Sequence, residues 1–251
     1  MRRGAAAIAL VALVAAAGCA AIMGIEEGRL VAAKDDAGGA VDGSVDAPSE
    51  ASSEAAAPDG AILDAGCDAS TVTITSVEDT FLVDEDGGAY GSQATVDIGQ
   101  GGSAVGLFRF DFGASVGASV KAGRAQATLV LRVDDSVNFG QPGAAQVYPI
   151  RDSWLELEAT WRLATAGAHW QTPGARGAQD RGDSVGGGLV PSAAKGAEIR
   201  IPLDRLDAGA AWVANDRLSL LVEPSGSLRA VVVAHENPEA GAPRLEVRYC
   251  P

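Results

Sequence analysis

Aromatic residues make up only 5% of this chain, lysines are few, and its 251 residues include three cysteines and two histidines. So few aromatics exclude a broad stacking platform for sugar rings or bases. Neither histidine accompanies a nucleophile motif such as Gly-x-Ser-x-Gly, so nothing marks a hydrolase of that type. Positive charge is scarce as well. Lys and Arg number 19 against 33 Asp and Glu, a formal net charge of -14, which argues against nucleic acid and anionic membrane surfaces as partners. The uncharged apolar run at 8–17 is too short for a permanent membrane-spanning helix, which needs roughly 20 apolar residues.

That run is instead the centre of an export signal. Arg2 and Arg3 precede it, and Ala16-Ala17-Gly18 lead from it to Cys19. The arrangement resembles a bacterial lipobox, with Ala16 standing where Leu is usual. It implies that residues 1–18 are removed and that Cys19 is lipidated. Ala20 replaces the Asp of an inner-membrane retention signal, so the expected location is the outer membrane or cell surface, with membrane contact through the lipid only. Two cysteines then remain, Cys67 and Cys250, at the two edges of the folded region. An exported chain favours a disulfide between them over two free thiols. Between anchor and domain, the segment 35–66 holds eight acids, no base and no aromatic residue. Apolar burial there cannot offset the cost of ordering the backbone, so 19–66 reads as a disordered acidic tether. Its flexible part would reach on the order of 30 Å.

From residue 67 to 251 the pattern changes. Short runs rich in Val, Ile, Leu, Phe and Thr occur at 71–76, 80–83, 95–98, 105–112, 127–133, 145–150, 198–203, 218–223, 228–235 and 244–249. Gly, Asp, Asn and Pro separate them. In 105–112, Phe108, Phe110 and Phe112 alternate with Leu107, Arg109 and Asp111, the period of a strand with one buried face. Only 208–213 suggests a helical turn. About ten short strands joined by polar turns predict an all-β fold, an antiparallel jelly-roll-like β-sandwich. A domain of this length can bury a core of its own.

The segment 152–181 reads DSWLELEATWRLATAGAHWQTPGARGAQDR. Trp154-x-Glu156, then Thr160-Trp161, then Trp170-x-Thr172-Pro173-Gly174 resemble the "W-x-E…TW…W-x-TPG" stretch of the DNRLRE-type surface domain. The flanks are similar too: Glu78-Asp79-Thr80 and 91–99 to the family's opening, His235-Glu236 and 243–247 to its close. The naming hexapeptide is matched only loosely at 215–220, and Arg162 and Leu163 stand where the family carries Asn. The resemblance implies a jelly-roll-like sandwich on a surface protein. It is also similar to carbohydrate-binding module family 96, so the implied partner is a polysaccharide or cell-surface glycan, bound without catalysis.

Candidate side chains follow. An indole can stack on the apolar face of a pyranose, and among Trp154, Trp161, Trp170 and Trp212 the best placed is Trp170, beside His169 and the Pro-Gly turn. An acidic polysaccharide would need forked cations. Arg109, Arg132 and Arg151, with Arg162 nearby, fall on or near strands expected to be adjacent. The domain's 15 bases against 23 acids make cross-strand salt bridges the competing use of these arginines. Glu78, Asp79, Asp84 and Asp86 offer hard oxygen ligands of the sort a structural calcium takes, without the spacing of an EF-hand, and a solvated turn is the alternative. Glu156 and Glu158 share one side of a short extended segment, the arrangement of paired glycosidase carboxylates, but they belong to the Trp motif. Arg181-Gly182-Asp183 is read as a chance tripeptide in a glycine-rich loop. Two expectations therefore compete: a tethered, non-catalytic glycan-binding module, and a structural or adhesive surface protein with no glycan site.

Overall fold

A computed structural model of the chain describes residues 67–84, 87–99, 103–134, 141–150 and 153–251. The signal at 1–18, Cys19, the tether at 19–66, Asp86 and Arg151 lie outside the described residues. In chain order the elements are β1 (Ser70–Leu82), β2 (Thr95–Ile98), β3 (Val105–Asp111), α1 (Gly113–Lys121), β4 (Ala125–Arg132) and β5 (Gly143–Pro149). There follow β6 (Leu163–Thr165), β7 (Ala168–His169), β8 (Gly186–Val190), β9 (Glu198–Leu203), β10 (Arg217–Ser225), β11 (Ala230–Val233) and β12 (Arg244–Tyr249).

The fold is all-β and antiparallel, sandwich-like, as the strand pattern predicts. Eight strands run in the order β8-β5-β10-β3-β1-β12-β4-β9. The long strand β1 belongs to both halves of this sheet. Its first residues pair with β12, from Ser70 opposite Tyr249 to Thr75 opposite Arg244. Beyond a register shift between Ser76 and Glu78 it pairs with β3. Such a bulge bends a strand and lets it change partners. The expected strands at 71–76 and 80–83 are thus one strand with a bulge. At the far ends the sheet nearly closes, and Gly186 of β8 lies so near β9 that a Cβ there would meet the Pro202 carbonyl oxygen at 2.2 Å. Only a residue without a Cβ permits that approach.

The alternation in β3 divides two cores. Phe108, Phe110 and Phe112 enter the central core with Leu129, Ile201 and Leu245. Leu107 and Val105 face the other way, into a second core with Leu82, Leu221, Trp154, Trp161 and Trp170. The Trp-rich segment 153–182 lies over the outer face of this half of the sheet. That explains why β3 and β10 read as nearly continuous apolar runs: both of their faces are covered. Burying an indole removes roughly 150–250 Å² from water. At about 25 cal/mol/Å² each contributes on the order of 4–6 kcal/mol before ordering costs.

The helix α1 is not anticipated by the sequence pattern, because Gly, Ser and Val are poor helix formers. It forms by packing, with Val116 and Val120 buried one turn apart. Cys67 and Cys250 are disulfide-bonded, their Cα atoms 5.9 Å apart across 183 residues of sequence. The Ser119 hydroxyl donates to the Cys250 carbonyl at 2.6 Å, attaching α1 to the same corner.

Candidate functional site

Three distant stretches of chain meet around Asp79. Asp79 arrives on β1, opposite Phe108 of β3. Glu156 arrives on the covering segment, two residues after Trp154, whose ring is fully buried. His235 and Glu236 follow β11, where the chain turns with the Asn237 N–H donating to the Ala234 carbonyl at 3.1 Å. One donor atom from each of Asp79, Glu156, His235 and Glu236 lies within 4.8 Å of the others.

Backbone amides hold the carboxylates in place. The Asp79 N–H donates to Glu156 Oε1 at 2.7 Å, and the His235 N–H donates to Asp79 Oδ2 at 2.9 Å. Ser76 Oγ donates to the same Oδ2 at 3.1 Å. The imidazole Nδ1 of His235 stands 3.2 Å from Glu236 Oε2, 3.3 Å from Glu156 Oε1 and 3.6 Å from Asp79 Oδ2. Two buried atoms nevertheless lack a hydrogen-bond partner, Asp79 Oδ1 and His235 Nδ1. Burial pushes the Asp79 carboxyl up to about 6, against the opposing pull of His235 and Ser76. Burial likewise raises Glu156 and Glu236 above the ordinary carboxylate range. Removal from water disfavours the charged form of each of these acids.

Of the expected calcium ligands among the described residues, only Asp79 joins this cluster. Glu78, its neighbour, forms an ion pair with Arg109 instead, and Asp84 is exposed on a turn. The described residues of the expected set, Glu78, Asp79 and Asp84, thus do not gather, and the cluster present draws on three segments instead. Alternation explains the failure: neighbours on a strand point to opposite faces, so Glu78 and Asp79 cannot share a site. Glu156, His235 and Glu236 lie in the stretches that carry the family resemblance, which is the one signal in the sequence that could have gathered them. Glu156 and Glu158 serve different bonds, Glu158 Oε2 accepting from the Ala166 N–H at 2.7 Å.

The aromatic expectation is corrected. Trp170 is 4% exposed, and its Nε1 donates to the Thr160 carbonyl at 2.9 Å. Trp154, Trp161 and Trp212 are also buried, so none of the four indoles offers a face to a sugar. His169, beside Trp170, is exposed on β7. The Pro-Gly turn follows from the same packing. Gly174 has φ +76°, and a Cβ there would lie 2.6 Å from the Trp161 ring. Asp180, fully buried, fixes the rest of the turn by accepting from the N–H groups of Gln171, Thr172 and Gly177 at 2.7 to 3.0 Å.

The expected arginine stripe is also corrected. Arg109 is on β3 and Arg132 on β4, and the strands β1 and β12 stand between them. Arg109 donates to the Trp154 carbonyl at 2.6 Å and to Ser219 Oγ at 3.2 Å, with its guanidinium over the Trp154 ring. It serves the second core. Arg132 packs its side chain against Gly241, and Arg162 is exposed.

A different pair of arginines frames an open hollow of about 660 Å³, whose lining includes Tyr148, Arg176, Arg181, Asp183, Ser184 and Trp212. The Arg181 guanidinium lies 3.8 Å over the Tyr148 ring and that of Arg176 lies 5.0 Å from the Trp161 ring centre. Both pair with Glu223, Arg176 Nε at 2.7 Å and Arg181 Nη1 at 2.6 Å. Glu223 thus lies between the two guanidinium groups.

No protein-family model matches the chain, and no curated protein matches it.

Proposed function

We propose that this chain is a non-catalytic, surface-tethered carbohydrate-binding module, with its binding surface at the Arg176–Arg181 hollow. The observation that carries the reading is the pair of guanidinium planes, held over Trp161 and Tyr148 and braced by one carboxylate, at the mouth of an open polar cavity. Preorganised forks of this kind donate to sugar hydroxyls or uronate carboxylates without losing side-chain freedom on binding. Asp183 and Ser184 add an acceptor and a hydroxyl beside them. The resemblance of 71–249 to the DNRLRE-type domain agrees with a glycan partner. The lipobox-like Cys19 and the acidic stretch after it agree with display from the outer membrane or cell surface. An acidic polysaccharide would have to be met locally, because the domain carries more acids than bases.

One observation favours a second reading, a structural or adhesive surface protein without a glycan site: all four tryptophans are buried. A glycan array probed with the chain at low and physiological salt separates the two. Salt-sensitive retention on polyuronates, or salt-insensitive retention on a neutral glycan, supports the module. Silence across the array moves the assignment to the structural protein.

A further inference from the structure

We infer that Asp79, Glu156, His235 and Glu236 form a closed binding site for one divalent transition-metal ion of the zinc class. The inference is independent of the glycan reading. It begins with the Asp79 side chain, which is only 1% exposed, within the cluster, and leaves Oδ1 without a hydrogen-bond partner. An unsatisfied buried carboxylate oxygen costs several times what an ordinary hydrogen bond contributes, and folds keep one where something else satisfies it. The same holds for His235 Nδ1, also buried and unpartnered.

Geometry then narrows the ligand. A lone imidazole N–H can serve one acceptor well, yet Nδ1 faces oxygens of three acids at 3.2, 3.3 and 3.6 Å. Four donors bound tetrahedrally at about 2.0–2.1 Å stand about 3.3–3.4 Å from one another. The three separations from Nδ1 straddle that edge length, and the remaining ones lie within 4.8 Å. A dication at the centre would give His235 Nδ1 a partner and offset the mutual repulsion of three carboxylates. Three oxygens and one imidazole nitrogen favour zinc, manganese or iron over calcium and magnesium, which take oxygen alone. Four protein ligands also fill a tetrahedral shell, the pattern of a structural site rather than one with a position open for chemistry.

Such an ion would join β1, the covering segment and the loop after β11, fastening the Trp-bearing cover onto the sheet. The test uses the full chain, stripped with chelator and titrated with zinc chloride, cobalt(II) chloride and calcium chloride. One equivalent of zinc should bind. Cobalt should give the intense visible absorption of a tetrahedral site, and saturating zinc should raise the unfolding midpoint by roughly 5–10 °C. His235→Ala and Glu156→Gln should abolish the cobalt band while keeping the far-ultraviolet circular dichroism of a folded chain. Glu236→Gln, at the exposed side of the cluster, keeps the test readable if either of those unfolds. Absence of zinc binding overturns the inference. So does zinc binding that folded variants leave unchanged, and so does binding of calcium in preference to zinc.

Discussion

The backbone N–H of His235 donates to Asp79 Oδ2 at 2.9 Å, joining two residues 156 positions apart in the sequence. That bond brings a buried acid and an imidazole into one site with Glu156 and Glu236. Burial of that acid raises its pKa, and the bond opposes the rise.

With its pKa raised to about 6 from a reference near 3.8, Asp79 holds its proton longer in the folded state than in the unfolded one. Between those values the folded chain binds more protons, so this group's contribution to stability falls as pH rises through the window, by at most about 1.4 kcal/mol per pH unit. Asp79→Asn should remove that dependence and stabilise the chelated chain at pH 7 by about 1–2 kcal/mol. Urea unfolding of both proteins from pH 4 to pH 7 checks it. Parallel stability curves would show that Asp79 does not titrate in this range.

Trp170→Ala should cost about 3–5 kcal/mol, because it empties a packed site in the second core. The expected signature is a lower denaturation midpoint. Unchanged stability would mean that Trp170 is not the packing residue its burial indicates.

Gly174→Ala places a methyl group 2.6 Å from the Trp161 ring at a backbone angle that favours glycine. A loss of about 1–3 kcal/mol is expected. A change in Trp161 fluorescence should accompany it, whereas the exposed Gly113, with nothing near its Cβ direction, should tolerate alanine at the smaller cost of its positive φ.

Replacing Cys67 and Cys250 by serine opens a loop of 183 residues. Stability should fall by about 2–5 kcal/mol. Equal unfolding midpoints under oxidising and reducing conditions would contradict this.

Much of the fold was legible because it rests on local pattern. The alternation around Phe108 and Phe110 places three phenylalanines in one core, and the positions of Cys67 and Cys250 suggest their bond. Asp79, Glu156 and the His235-Glu236 pair were each visible in the sequence but not as one site, since they lie 77 and 156 residues apart and no spacing rule links them. Arg109 and Arg132 failed as a stripe because strand order, unlike strand identity, depends on long-range pairing that puts β1 and β12 between them. Trp170 misled for a related reason. A tryptophan beside a Pro-Gly turn looks accessible until the outer face of the sheet is known to lie beneath it. The helix α1 was invisible because tertiary packing overrides its weak intrinsic preference.

The most direct test of the central claim is affinity electrophoresis through gels containing neutral and acidic polysaccharides, comparing the chain with Arg181→Ala. Retention by at least one polysaccharide, reduced tenfold or more in Arg181→Ala while the unfolding midpoint moves by no more than a few degrees, is the predicted result. Equal retention of the two proteins, or none for either, would contradict a glycan site at the Arg176–Arg181 hollow.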